Sequence, residues 1–258
     1  MSILVTGGGT GIGKACAAKL ASDGAAVTIC GRTEASLQAA ADEIAAVAGK
    51  GGSIQWLTGD VTSEADVEAF IAGAAQPTGK LNGVVANAGG GGMPMPYGKL
   101  DTDEFMRVLN LNVLGTMLCM KHSIPRMLEA GGGSFIGMSS LAGHITHPYF
   151  HAYCAGKAGV EAMMRNAADE YGKDNIRFNA IRPGFVATEI MEGIPRDSEV
   201  YKSYIDNTPM NDVGQPEDIA ELARFLIGPE SRWITGQCIN VDGGHCLRRG
   251  PDFSSFVG

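Results

Sequence analysis

The feature that most constrains this chain is an alternation. Short runs of β-branched and apolar residues, bounded by turn formers, are separated by longer alanine-rich segments whose apolar residues recur at helical period. The strand candidates are Ile3–Thr6, Ala26–Cys30, Ser53–Leu57, Gly83–Ala86, Ser134–Met138, Ile176–Ile181 and Gln237–Val241, and the first helical pattern runs from about Gly11 to Ser22. Strands joined through helices pair as parallel neighbours, and right-handed crossovers place helices on both faces of the sheet. The pattern predicts a doubly wound α/β fold: a parallel seven-stranded sheet in a three-layer α/β/α arrangement. With 258 residues, 45% of them hydrophobic, the chain can bury one core without metals or disulfides. No linker or internal repeat divides it, so a single domain over residues 1–258 is expected.

Charge and cysteine usage narrow the partners. A net charge of −8 and the absence of a basic stripe argue against nucleic acid. Cys16, Cys30, Cys119, Cys154, Cys238 and Cys246 form no Cys-x-x-Cys pair and no ligand-spaced run, which fits free thiols in a reducing compartment and no metal site. No stretch of about 18 apolar residues occurs, and Met1-Ser2-Ile3-Leu4-Val5 is not a basic segment followed by an apolar core, so a cytoplasmic protein without a membrane partner is expected.

The first chemical signal is Thr6-Gly7-Gly8-Gly9-Thr10-Gly11-Ile12-Gly13, where a strand ends and a helix begins. A pyrophosphate needs close backbone approach there. Gly7 and Gly11 supply the clearance, Gly13 permits tight helix-on-strand packing, and the helix N-terminus offers free N–H groups and positive dipole. A tight turn is the competing reading, and the strand-loop-helix setting favours phosphate binding. The second signal is Tyr153-Cys154-Ala155-Gly156-Lys157 on a helical segment from about His151 to Tyr171. Its i, i+4 spacing puts phenol and ammonium on one face. Lowering a phenol from pKa 10 to neutrality takes about 4 kcal/mol of electrostatic help, part of which a lysine one turn away supplies. In isolation such a pair is a packing residue and a solvated charge. The third signal decides between them: Ser139 and Ser140 end the strand Ser134–Met138 just before the loop to Tyr153, where a hydroxyl can polarise a substrate carbonyl.

These motifs, in this order, resemble the short-chain dehydrogenase/reductase family, and the resemblance runs from Ile3 to about Cys246. It implies a Rossmann fold and hydride transfer between a nicotinamide dinucleotide and a carbonyl or secondary alcohol. By the family's spacing, Ser140 rather than Ser139 matches the catalytic serine, Tyr153 the acid/base, Lys157 the lysine that also touches the nicotinamide ribose, and Asn112 rather than Asn110 the helix asparagine that holds a water of the proton relay. The cofactor positions it implies are Gly7, Gly9, Thr10, Gly11, Ile12 and Gly13 in the loop; Arg32 and Thr33 after the second strand; Asp60 and Val61 at the adenine; Asn87, Ala88 and Gly89; and Pro183, Gly184, Val186 and Thr188 beside the nicotinamide, with Tyr153 and Lys157. Read alone, Asp60, Thr62 or Ser63 could equally cap the helix at Glu64, Pro183-Gly184 could be a turn, and Thr188 a cap. Ala86 and Gly156 depart from residues common in the family, and neither position handles the proton.

At the Gly31 position, NAD-preferring relatives carry a carboxylate for the ribose hydroxyls. Its absence, with Arg32 and Thr33 adjacent, predicts a preference for NADP(H), NAD(H) remaining open. The family places Gly89–Lys99 and Ile190–Met210 beside the nicotinamide as mouth loop and lid, the lid spanning about 189–213. Met93, Met95, Tyr97, Met138, Ile190, Met191, Ile194, Tyr204 and Met210 there suit an apolar substrate. His144, His147 and His151 follow no zinc pattern; as loop residues they line a substrate mouth or are solvated, with His147 the candidate for substrate contact. The family also buries helices equivalent to Thr102–Glu129 and His151–Tyr171 against symmetry mates, which implies a homotetramer. A 3-oxoacyl-thioester reductase of fatty-acid synthesis shares every motif, and a dinucleotide-sensing protein without chemistry is the non-enzymatic alternative. Retention of Asn112, Ser140, Tyr153 and Lys157 favours the enzyme.

Overall fold

The computed structural model describes residues 1–189, 191–248, 250 and 253–256. Seven strands form the sheet: β1 (Ser2–Thr6), β2 (Ala26–Gly31), β3 (Ser53–Thr58), β4 (Gly83–Ala86), β5 (Gly133–Met138), β6 (Ile176–Pro183) and β7 (Cys238–Val241). All are parallel, in the order β3-β2-β1-β4-β5-β6-β7. The helices are α1 (Gly11–Ser22), α2 (Glu34–Val47), α3 (Glu64–Ala75), α4 (Thr102–Leu109), α5 (Gly115–Ala130), α6 (His151–Tyr171), α7 (Glu199–Asn207) and α8 (Pro216–Ile227). This is the doubly wound three-layer fold that the alternation predicts.

Strand periodicity sorts side chains between two cores. Ile3 and Val5 of β1 point to the layer of α1, α2 and α8, where they meet Leu20, Leu37 and Leu226. Leu4, between them, joins Phe70, Met127, Phe135 and Phe178 on the side of α3, α5 and α6. Because helices cover both faces, every residue of β1 and β4 is buried, which is why these strands read as continuous apolar runs.

The structure differs from the sequence reading at three places. The expected helical span Thr102–Glu129 is not one continuous helix, since a π-helical turn, Asn110–Leu114, separates α4 from α5. Ser63 is the residue that caps α3, accepting from the Asp66 N–H, so Asp60 and Thr62 are not the cap. The stretch 189–213 is more regular than its composition suggests, holding a 3₁₀ turn at Met191–Gly193 as well as α7.

The strand order reverses between β1 and β4, and diverging crossovers open a crevice beyond their C-terminal ends. Thr6 and Asn87 pin that opening. The Thr6 hydroxyl accepts from the Asn87 and Ala88 N–H groups at 3.0 and 2.9 Å, and Asn87 Nδ2 donates to the Thr6 and Gly7 carbonyls at 3.1 and 3.2 Å.

Candidate active site

A cavity of about 910 Å³ follows the C-terminal edge of the sheet, from the end of β2 past the glycine loop to β6 and the 191–204 segment. At the loop, Gly7 and Gly11 have φ of +63° and +49°, left-handed values that side chains disfavour. Thr10, Gly11 and Ile12 line the cavity at the start of α1, where first-turn N–H groups lack helical partners. Gly13 is a correction to the set of cofactor contacts. It does not line the cavity; a Cβ there would lie 2.2 Å from the Gly7 carbonyl oxygen, so it lets helix and loop close on each other.

Arg32 and Thr33 stand exposed at the far end, and Asp60 and Val61 line the same region. The Asp60 carboxylate accepts from the Thr62 N–H and hydroxyl, both at 2.8 Å. These bonds hold it below the ordinary carboxylate range despite partial burial, and the Arg32 charge adds to the effect. A long trough with a glycine-lined helix N-terminus in the middle and a cation at one end suits a dinucleotide: close backbone for the pyrophosphate, polar groups for the outer ribose. Asn87, Ala88, Gly89, Pro183, Gly184, Val186 and Thr188 also line it.

At the other end α6, β5 and the loop between them bring Ser140, Tyr153 and Lys157 together along the cavity wall. The Ser140 hydroxyl accepts from the Ala142 N–H at 3.2 Å and lies on the same wall as the Tyr153 phenol. Burial raises the phenol above its ordinary pKa, and the nearby Ser140 hydroxyl partly offsets this. Lys157 Nζ lies 5.5 Å from the Tyr153 ring centre and donates to the Met138 carbonyl at 2.7 Å. Burial brings that ammonium down to about 8. Gly89 makes room for this arrangement, because a Cβ there would stand 2.9 Å from Lys157 Nζ and 2.7 Å from Asn112 Oδ1.

Asn112 lies in the π-helical turn, buried and off the cavity wall. Its side chain donates to the Gly90 and Val108 carbonyls at 2.9 and 2.8 Å, and Thr116 Oγ1 donates to its carbonyl at 2.8 Å. Gly156 faces this asparagine: a Cβ would sit 3.2 Å from Asn112 Cβ, so the glycine admits a neighbouring helix.

Ser139 has a different task. Its hydroxyl donates to Glu161 Oε1 at 2.8 Å and reaches the Lys157 carbonyl at 3.2 Å. Both carboxylate oxygens of Glu161, at 2.5 Å, take the Arg182 guanidinium. The sequence reading missed this pair, yet a signal existed, since Tyr153, Lys157 and Glu161 fall at i, i+4 and i+8 on one stripe of α6.

The structure supports Met93, Met138, His147, Met191, Ile194 and Tyr204 as lining residues and corrects three others. Met95 stays off the cavity because its backbone is engaged elsewhere, its N–H donating to Tyr149 O at 3.1 Å and its carbonyl meeting His151 Nε2 at 2.8 Å. Tyr97 is exposed, stacked on His151. Met210, also exposed, packs near Gly243. Ile190 lies outside the described residues. The reading also passed over Phe150, Phe185, Phe253 and Phe256, which build an aromatic chamber with Tyr204 beyond the catalytic end. Phe185 stacks on Tyr204 at 4.2 Å between ring centres, and Phe253 meets Phe150 edge-on at 4.8 Å. The three histidines do not converge, and no metal-binding group of His, Cys, Asp or Glu exists among the described residues.

Residues 7–245 match the family model described as enoyl-(acyl carrier protein) reductase. The chain is 35% identical over 243 residues to the cis-4-hydroxycyclohexanecarboxylate dehydrogenase of Sinomonas cyclohexanicum, covering 94% of this chain and 95% of that one. A short-chain type dehydrogenase/reductase from Mycobacterium ulcerans superposes with a TM-score of 0.96 at 42% identity, over 98% of this chain and 92% of the other. The chain belongs to the short-chain dehydrogenase/reductase family. Like its relatives, this short-chain dehydrogenase/reductase is an oxidoreductase that moves hydride between a nicotinamide dinucleotide and a carbonyl or secondary alcohol. Another member of known structure is a 7α-hydroxysteroid dehydrogenase, solved with NADH and 7-oxo glycochenodeoxycholic acid; it superposes with a TM-score of 0.88 at 33% identity, over 94% of this chain and 92% of that one.

Proposed function

We propose that this enzyme oxidises an uncharged secondary alcohol on an apolar, ring-bearing skeleton, or reduces the matching ketone, with Tyr153 exchanging the proton, Ser140 holding the reacting oxygen, and Lys157 and Asn112 supporting them. The observation that carries the proposal is the meeting of Ser140, Tyr153 and Lys157 in the cavity that also contains the glycine loop. When bound, the dinucleotide supplies the hydride acceptor or donor and, oxidised, a positive charge at the nicotinamide. In oxidation the Tyr153 phenolate takes the hydroxyl proton; in reduction the phenol returns it to the carbonyl oxygen. Ser140 orients that oxygen toward Tyr153. The Lys157 charge, held in a buried position, favours the phenolate. Asn112 braces Gly90 and thereby the backbone under the nicotinamide end. Ring-bearing substrates are inferred from the aromatic chamber and from the ring alcohols named for the relatives.

The outer end supports a preference for NADP(H): Gly31 brings no carboxylate, and exposed Arg32 can meet a 2′-phosphate. Residues 189–213, which carry Met191, Ile194 and Tyr204, serve as the lid. The functional unit is a homotetramer, to which the exposed Met106 and Met117 of α4 and α5 contribute apolar contact; light scattering at micromolar concentration tests it, and a monomer overturns it. The six cysteines are free thiols, in keeping with a reducing cytoplasm.

Assays at the nicotinamide absorbance band with ring alcohols, aliphatic alcohols, steroids and acetoacetyl thioesters test the substrate class. A preference for the thioester replaces this proposal with the acyl-thioester reading. Tyr153→Phe is expected to lower turnover at least about a hundredfold while dinucleotide binding persists. Comparable turnover in that variant refutes the chemistry.

A further inference from the structure

The chamber beyond Tyr153 is built of uncharged side chains. The charged residues along the cavity, Arg32, Asp60, Lys157 and Glu189, lie at the second strand, at the adenine pair, on α6 and beside the glycine loop. Among the aromatic and aliphatic groups of the chamber wall stands one imidazole. His147 lines the cavity, yet only 8% of its surface is exposed. Its Nδ1 lies 3.1 Å from the Ile145 carbonyl oxygen. A carbonyl only accepts, so Nδ1 carries the proton, and in the neutral ring Nε2 is left as an acceptor. Burial holds the imidazole below the ordinary histidine range, which keeps it neutral at pH 7. Nε2 has no hydrogen-bond partner among the described residues.

The ring is also held in place. A Cβ on Gly250 would stand 1.9 Å from Thr146 O and 3.3 Å from His147 Nδ1, so the C-terminal segment lies directly against this loop. Cys154 Sγ donates to the His147 carbonyl at 3.7 Å, tying the residue to α6 one position after Tyr153. A fixed lone pair in an apolar wall discriminates by chemistry: it repels a carboxylate, gains nothing from a second ketone, and binds a hydroxyl that donates.

Resting on the proposed alcohol chemistry, we infer that the substrate carries a second hydroxyl on its apolar skeleton and that His147 Nε2 accepts it, which makes His147 a specificity-determining residue. The natural substrate is then an apolar diol, and its product a hydroxyketone. Only the alcohol held by Ser140 and Tyr153 reacts; the second hydroxyl is unchanged.

The test uses matched pairs that differ by one hydroxyl: cyclohexanol against cyclohexane-1,2-, 1,3- and 1,4-diol, and a steroid mono-ol against diols of the same skeleton. The full-length enzyme is expected to prefer at least one diol about tenfold in kcat/KM, mostly through KM, as one added hydrogen bond in a dry site supplies. His147→Leu removes the acceptor and should bring that ratio to near one. His147→Gln, whose amide oxygen can accept, should keep part of it and is the second reading if the leucine variant folds poorly. Equal kcat/KM within every pair for the unmodified enzyme overturns the inference while leaving the alcohol chemistry standing, and so does a diol preference that survives in both variants. Turnover of no alcohol or ketone in the panel overturns the underlying chemistry, and this inference with it.

Discussion

Lys157→Met offers a test of what the buried ammonium costs the fold. Lys157 is 4% exposed, and burial lowers its pKa from 10.5 to about 8. A depression of about 2.5 pKa units corresponds to roughly 3 kcal/mol lost by folding with the charge in place. The bond to the Met138 carbonyl returns part of this, about 1.5–2 kcal/mol for a charged donor. Methionine fills a similar volume without the charge, so the dinucleotide-free variant should be about 1–2 kcal/mol more stable at pH 7 while losing most activity. The pH dependence follows from the sign of the shift. Between pH 8 and 10.5 the unfolded chain binds the lysine proton that the native state has released, so the parent gains stability across this window. The methionine advantage is therefore full below pH 8 and declines above it. Urea denaturation of both proteins at pH 7 and pH 10 reads the difference, in which the other titrating groups largely cancel. A methionine variant less stable at pH 7, or a gap of equal size at the two pH values, refutes the reasoning.

Arg32→Ala should lower the NADPH-over-NADH affinity ratio by about five- to a hundredfold, as loss of one partly exposed phosphate contact implies; an unchanged ratio in paired titrations removes Arg32 as its cause. Gly13→Ala drives a Cβ toward the Gly7 carbonyl, so dinucleotide binding followed by fluorescence should be abolished or the fold lost, and near-parental binding contradicts the packing described. Glu161→Ala strands Arg182, whose side chain is only 12% exposed, and should cost about 3 kcal/mol in urea denaturation. A loss under 1 kcal/mol would mean that the guanidinium finds water.

Much of the fold was legible because its strands are covered on both faces. A strand that needs apolar side chains in both directions writes an unbroken apolar run, and Gly83–Ala86 and the helix Gly11–Ser22 end where their residues indicate. The motifs of the site were legible for another reason: the glycine loop and the Tyr153/Lys157 turn are local in sequence, so spacing encodes their geometry. What escaped depends on contacts between distant segments. Asn110–Leu114 has no local mark of a π-helical turn, which goes with side-chain bonds from Asn112 to Gly90. Tyr97 and Met210 looked like pocket residues by type, and nothing within their own segments says that they face solvent. Phe253 and Phe256 follow a glycine- and arginine-rich stretch without periodicity, and only the tertiary structure brings them to the chamber.

The family match ends at residue 245, whereas Phe253 and Phe256 of the chamber wall come after it. The residues proposed for proton transfer and dinucleotide binding fall within 6–188, so the proposed machinery and part of the mould around the substrate occupy separate stretches of polypeptide. Exchange of Phe253 and Phe256 between homologues is thus a compact route to altered selectivity, since neither residue belongs to a strand of the sheet.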